Sequence, residues 1–141
     1  MNIRKMGLIA GLAMVVGALV SLALPDDPEQ TAEKVFNEVN FESQDLRLAS
    51  ERLIATRTRL LRNEGSLAGQ PVLQDEAKLL VNDMDAQLSQ VAKWAMQFAA
   101  PPSENRTGWL VDQRDQVRQL QQSVRALDRK GRVLLGDPGA N

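Results

Sequence analysis

Residues 71–99 read PVLQDEAKLLVNDMDAQLSQVAKWAMQFA, and the order of apolar and polar side chains in this stretch decides the fold class. Its apolar side chains recur every three or four residues without a break: Leu73, Ala77, Leu80, Met84, Leu88, Val91, Ala95 and Phe98. Because an α-helix turns once in about 3.6 residues, this spacing places them on one face. The pattern predicts a long amphipathic helix over 71–99, and Pro101 and Pro102 end it.

A second long helix is predicted before this one, over about 28–64. Four apolar residues lie seven apart, as in a coiled-coil seam: Val39, Leu46, Leu53 and Leu60. The companion positions are weaker: Val35, Glu42, Ala49 and Thr56. Asp27 before Pro28 suits the start of a helix, and Gly65 suits its end.

A third helix is predicted after Thr107, its expected N-cap, over about 108–135. Two heptad positions are apolar, with Gln113 as a polar exception: Leu110, Val117 and Val124 at one, and Leu120, Leu127 and Leu134 at the other. Residues 136–141 are predicted to form a flexible tail. Three long helices with short loops alternate in direction, so the sequence predicts an all-α, coiled-coil-like antiparallel three-helix bundle over 25–135.

The N-terminal stretch 6–24, MGLIAGLAMVVGALVSLAL, contains no charged residue. At about 1.5 Å per residue it makes a helix of roughly 28 Å, close to the thickness of a bilayer's hydrocarbon core. We therefore expect a single transmembrane helix, and its small residues would allow close packing against another membrane helix: Gly7, Gly11, Ala13, Gly17 and Ser21. Arg4 and Lys5 predict that residues 1–5 are cytoplasmic and that the bundle is periplasmic, in a bacterial inner membrane.

A cleavable signal peptide is the alternative to a retained anchor. Signal peptides are cut after small residues, and Ser21 and Ala23 are small residues at the required spacing. Cleavage near Ala23 would release a soluble periplasmic helical chaperone or binding protein. The uncharged stretch is longer than most signal-peptide cores, which favours the anchor.

Composition argues against several classes of function. The chain has no histidine and no cysteine, and its net charge is −1. Histidine is the commonest general base and metal ligand, and near-neutral charge gives no electrostatic attraction for nucleic acid. Asn82, Asp83 and Asp85 point in different directions on a helix, so they do not form a metal site. We expect no enzyme activity, no cofactor, no metal and no small-molecule substrate.

Two surfaces are candidates for protein contacts. Phe41 and Leu48 lie two residues from the Val39 seam, about 200° around the helix, so they face away from it. Trp94, Phe98 and Trp109 cluster around the turn between the second and third helices. If the first helix stands upright, helix lengths place this turn about 10–15 Å from the bilayer, which predicts a membrane-proximal docking site. The alternatives are scattered exposed residues in the first case and core rings in the second.

These features favour a non-enzymatic single-pass membrane subunit that acts by helix packing. It would be a structural, assembly or accessory component of an envelope membrane complex. Its partners would be the lipid bilayer and other membrane-protein subunits, or further copies of itself. The layout is similar to that of divisome coiled-coil subunits and phage inner-membrane spanins, a similarity of layout alone.

Overall fold

A computed structural model describes the backbone of residues 27–140 and the side chains of residues 31–140. It contains three long helices, α1 (Asp27–Leu61), α2 (Pro71–Phe98) and α3 (Arg106–Leu135), with a short 3-10 turn at Gly65–Leu67. No strand occurs in this range. The prediction of an all-α fold built from three bundled helices is confirmed.

The predicted membrane helix over 6–24 lies outside the described residues. The same is true of residues 1–5 and of the small residues assigned to membrane-helix packing: Gly7, Gly11, Ala13, Gly17 and Ser21. Among the helices that the structure describes, none is both long enough and apolar enough to cross a bilayer.

Contacts between the helices give their directions. Along α1 and α3 the paired residues advance together: Glu38 pairs with Arg114, Glu42 with Arg118, and Thr56 with Asp128. These two helices are therefore parallel, and they share the most extensive contact in the bundle. Phe36, early in α1, stacks on Phe98 at the end of α2, so α2 runs antiparallel to both.

The core lies where the apolar faces of the three helices meet. The heptad seam of α1 is fully buried at Val39, Leu46 and Leu53. On α2, Leu73 and Leu80 are only half-buried, whereas Val81 and Trp94, which lie beside the predicted stripe, are buried. The buried face of α2 is therefore rotated slightly, toward Val81 and Trp94, from the face that the sequence predicts.

The ends of the helices differ in detail from the sequence expectations. α1 ends at Leu61 rather than near residue 64. α3 begins at Arg106 after Asn105, which takes a left-handed conformation (φ 49°), so the prediction of Thr107 as N-cap is wrong. Asn105 tolerates this conformation better than most residues because its short polar side chain suits it.

The C-terminal end of α3 packs against the turn after α1. A Cβ atom on Gly65 would lie 2.3 Å from the carbonyl oxygen of Leu135, so only glycine fits there. Beyond α3, the segment predicted as a flexible tail is described as far as Ala140. Asp137 accepts two hydrogen bonds from Arg59, at 2.7 and 2.8 Å, and Ala140 is buried.

Candidate interaction surfaces

The outer face of α1, which points away from the core, carries an exposed apolar stripe. Phe41 is 67% exposed and Leu48 is 45% exposed. Ala55, one heptad further along, is exposed as well and continues the stripe. Phe41 and Leu48 were predicted from the sequence and Ala55 was not, although it lies one further step along the same seven-residue spacing. Together the three apolar side chains form a line along one side of the helix, at a single heptad position.

One flank of this stripe is a column of charged residues that lie seven apart: Glu38, Asp45, Arg52 and Arg59. We call it the charged column. Its first half is acidic and its second half is basic. Glu38 accepts a 2.8 Å hydrogen bond from Arg114, and Arg59 donates to Asp137. Asp45 and Arg52 form no ion pair with any other described residue.

Ion pairs hold the two ends of the charged column, Glu38 to α3 and Arg59 to the segment that follows α3. The hydrogen bond from the Arg114 guanidinium lowers the pKa of Glu38, and the same bond raises the pKa of Arg114. At the other end, the guanidinium of Arg59 lowers the pKa of Asp137. All four groups are therefore charged at neutral pH. The electrostatic pattern of this flank is permanent under physiological conditions.

The second flank of the stripe carries Arg47 and Glu51. Their side chains form an i,i+4 ion pair at 3.8 Å, and both are exposed. Such pairs on a helix surface contribute only a few tenths of a kcal/mol. They can therefore exchange partners at little cost when another helix approaches.

The aromatic residues near the second turn form one stack inside the bundle. Phe98 lies at its centre, with ring centroids 5.2 Å from Trp94, 5.6 Å from Trp109 and 6.1 Å from Phe36, all nearly parallel. Trp94 and Phe98 are buried and Trp109 is half-buried. The sequence analysis missed Phe36, which comes from a different helix.

The positions of these rings bear on the proposed docking site at this turn. Trp94 and Phe98 pack in the core, which is the alternative left open above, so neither ring presents a face to lipid or to a partner. The exposed edge of Trp109 and the side chain of Met96, which is 71% exposed, are the apolar groups accessible there. Membrane-proximal docking at this turn stays a prediction.

A shallow groove between α2 and α3 is lined mainly by glutamines. Its walls carry five of them: Gln87, Gln90, Gln97, Gln116 and Gln119. Trp94, Leu120 and Ser123 also line the groove, and Lys93 is the one charged residue of its lining. The indole N–H of Trp94 has no hydrogen-bond partner among the described residues. Amide side chains both donate and accept hydrogen bonds, so this groove suits a neutral polar ligand.

Acidic side chains were considered above as possible metal ligands. No cluster of three or more acidic side chains that could hold a metal occurs within this part of the chain. Asp85, one of the three polar residues considered above, accepts hydrogen bonds from Arg57 at 2.7 and 3.3 Å. This pair joins α1 to α2 and has a structural role.

No family model matches the chain, and neither the curated proteins nor the solved structures include a match.

Proposed function

We propose that this chain is a non-enzymatic, single-pass membrane subunit that acts by helix packing as a structural, assembly or accessory component of an envelope membrane complex. The observation that carries the proposal is the uncharged stretch over 6–24, with basic residues before it and acidic residues after it. Its length matches a bilayer, and its flanking charges favour translocation of the bundle.

The bundle supports a role in protein contacts. Its buried residues hold three helices together, and its polar groups pair mainly with one another across the helices. The outer face of α1 nevertheless keeps Phe41, Leu48 and Ala55 in solvent. Covering an exposed apolar stripe removes it from water, which favours association at about 25 cal/mol per Å².

A soluble periplasmic binding protein is the second candidate, and the groove between α2 and α3 favours it. The glutamine side chains that line the groove could bind a neutral polar ligand. This function would require cleavage near Ala23, whereas the membrane subunit requires that residues 6–24 are retained.

The fate of the N-terminal stretch separates the two candidates. We expect the chain to remain in carbonate-washed membranes with the intact mass of a protein that keeps residues 6–24. Ala23→Leu is the matched control because it removes the small residue that a signal peptidase requires. Wild type and control should have identical fractionation. A soluble species that begins near Leu24 in the wild type, absent in Ala23→Leu, would overturn the membrane proposal.

The contact face on α1 is tested by Leu48→Glu. The site is exposed, so we expect the free energy of unfolding to change by less than about 0.5 kcal/mol. Association should weaken, because the change places a charge in an apolar contact. Ser89→Glu adds the same charge at an exposed site on α2 and should leave association unchanged. Equal association of both variants would show that this face makes no contact.

A further inference from the structure

We propose that the outer face of α1 binds the same face of a second copy of this chain, with the two α1 helices antiparallel. The inference deepens the proposed function, on which it rests, by naming the partner of this surface. Three sets of residues on the face are each complementary to themselves when the helix is reversed: the apolar stripe, the charged column and the second flank.

The apolar stripe fits its own reversed copy. A two-fold axis between residues 48 and 49 places Phe41 of one chain beside Ala55 of the other. The large ring then lies opposite a small methyl group, and the two copies of Leu48 meet at the centre. Alternation of large and small side chains is what allows two helices to interdigitate.

The charged column gives the strongest argument. In an antiparallel pair, each flank of one helix faces the same flank of its copy, and contacts occur in reciprocal pairs. Around the same axis, Asp45 faces Arg52 of the second copy, and Arg52 faces Asp45. Glu38 and Arg59, at the two ends, face each other in the same way. Every acidic residue of the column is thus opposite a basic one.

The second flank follows the same rule. Near the axis, Arg47 approaches Glu51 of the second copy, and Glu51 approaches Arg47. The present i,i+4 pair between them is long at 3.8 Å, so it exchanges for an equivalent pair between chains. The ion pair on this flank is therefore replaced and not lost when the two copies associate.

A parallel pair of the same helices lacks this complementarity. In that arrangement opposite flanks face each other, so Arg47 approaches Arg52 of the second copy. The two copies of Glu51 also come close to each other near the seam. Like charges at such positions oppose association, so the charges favour the antiparallel pair.

The arrangement has a consequence for the membrane anchor. The two copies of Asp27, where α1 begins, lie at opposite ends of the pair, roughly 65 Å apart at 1.5 Å per residue. Both anchors can enter one bilayer only if the α1 pair lies along the membrane surface. This geometry replaces the upright α1 that was assumed for the position of the aromatic turn.

Charge reversal in the full-length chain tests the proposal. We would measure the dimer dissociation constant in mild detergent by sedimentation or light scattering over a dilution series. Arg52→Asp and Asp45→Arg each turn two attractive contacts into repulsive ones, so each should raise the constant about tenfold. The double variant Asp45→Arg with Arg52→Asp restores opposite charges and should recover the wild-type constant within about twofold.

The sign of the Arg52→Asp effect also reports helix orientation. In a parallel pair this change would place Asp opposite Arg47 and tighten the dimer, which would overturn the antiparallel arrangement. A wild-type chain that stays monomeric at all concentrations, or a dimer whose constant none of these changes affects, would overturn the proposed interface. The second outcome is expected if association occurs only through the small residues over 6–24.

Disulfide trapping gives an independent measure, because the chain has no native cysteine. Chains that carry Phe41→Cys, mixed with chains that carry Ala55→Cys, should form a cross-linked heterodimer on mild oxidation. Neither variant alone should cross-link, since each cysteine is about 20 Å from its own copy in the antiparallel pair. Cross-linking of each variant alone, without the mixed product, would contradict the proposal.

Failure of this inference is distinguishable from failure of the proposed function. A soluble chain that begins near Leu24 and still responds to the charge variants would overturn the membrane subunit but keep the dimer. A membrane-retained chain that stays monomeric, and loses a different co-purifying subunit on Leu48→Glu, would overturn the dimer but keep the function.

Discussion

The buried face of α2 differs in its side chains from the buried faces of α1 and α3. The buried residues of α2 are all apolar or aromatic, and they include Met84, Trp94 and Phe98. The five buried polar residues of the described core all lie on the other two long helices: Ser43, Ser50 and Thr56 on α1, and Gln113 and Gln121 on α3. Apolar burial and the Arg57–Asp85 pair hold α2 against the bundle, whereas Thr56 and Gln121 form hydrogen bonds across the α1–α3 contact.

Apolar side chains and buried hydrogen bonds contribute to helix packing in different ways. Apolar burial is strong but tolerates small rotations of a helix, because it is not directional. A buried hydrogen bond requires one geometry, and it penalises every other register with an unpaired polar group. Gln121, for example, donates to the backbone carbonyl of Glu42 at 2.6 Å and to its carboxylate at 2.8 Å. We infer that these hydrogen bonds set the register of the α1–α3 contact, whereas the apolar side chains of α2 hold it against the other two helices without fixing one register.

The largest effect is expected from removing the ring at the centre of the aromatic stack. Phe98→Ala deletes a fully buried side chain that contacts three other rings, and it leaves a cavity. We expect a loss of about 3–5 kcal/mol in the free energy of unfolding, measured by chemical denaturation. Met96→Ala, two residues away at an exposed site, should change it by less than about 0.5 kcal/mol. Similar losses for both variants would show that α2 is not held by its buried face.

A smaller effect is expected from the polar contact. Gln121→Ala removes both hydrogen bonds to Glu42 and leaves its backbone carbonyl without this donor, so we expect a loss of about 2 kcal/mol. Gln122→Ala, at the next and exposed position, is the control. If the two variants have the same stability, the buried amide contributes nothing and the inference about register fails.

The sequence could predict much of the α2 contact and less of the α1–α3 contact. An unbroken apolar stripe identifies a helix face by itself, because apolar residues at helical spacing are buried together. Ser43, Ser50 and Gln121 belong to types that are mostly exposed, and only their position opposite another helix explains their burial. Phe36 was missed for the same reason, because its place in the aromatic stack depends on Phe98 of another helix. Such pairings depend on how two distant helices are rotated and aligned, which no local pattern records.

The candidate contact face could be predicted in part from the sequence. The two-residue offset of Phe41 and Leu48 from the core seam located the face. The structure added the exposure of Ala55 and the partners of Glu38 and Arg59, and these reveal the charged column. The aromatic cluster shows the opposite case: its three residues were recognised together, but composition could not distinguish a core stack from a docking surface.

One buried polar group, the hydroxyl of Ser50, should stabilise the bundle when it is removed. The hydroxyl of Ser50 is buried without a hydrogen-bond partner among the described residues, whereas Ser43 donates to the carbonyl of Asn40 at 2.7 Å. Ser50→Ala removes an unpaired group and adds a better helix former, so we expect a gain of about 1 kcal/mol. Ser43→Ala loses a hydrogen bond and should gain less. If Ser50→Ala destabilises the bundle, the Ser50 hydroxyl has a hydrogen-bond partner in the folded protein.

The smallest effect is expected from the ion pairs at the rim of the α1–α3 contact. Hydrogen bonds from arginine lower the pKa of Glu38 from its ordinary value of 4.5 and that of Asp137 from 3.8. A carboxyl whose pKa is lower in the folded state stabilises the fold above its unfolded pKa, and this stability is lost as the pH falls through the folded value. Between pH 7 and 5 these two groups should therefore have no effect on the midpoint of thermal unfolding, and below about pH 4.5 the midpoint should fall.

The double variant Glu38→Gln with Asp137→Asn should show a shallower fall, because neither replaced side chain can bind a proton in this range. Asp112→Asn, at an exposed site on α3, is the control and should retain the wild-type profile. The difference should be small, since both pairs are partly open to solvent and are screened. If the double variant and wild type have identical profiles, the rim pairs add nothing to stability, and the α1–α3 contact depends on its buried side chains instead.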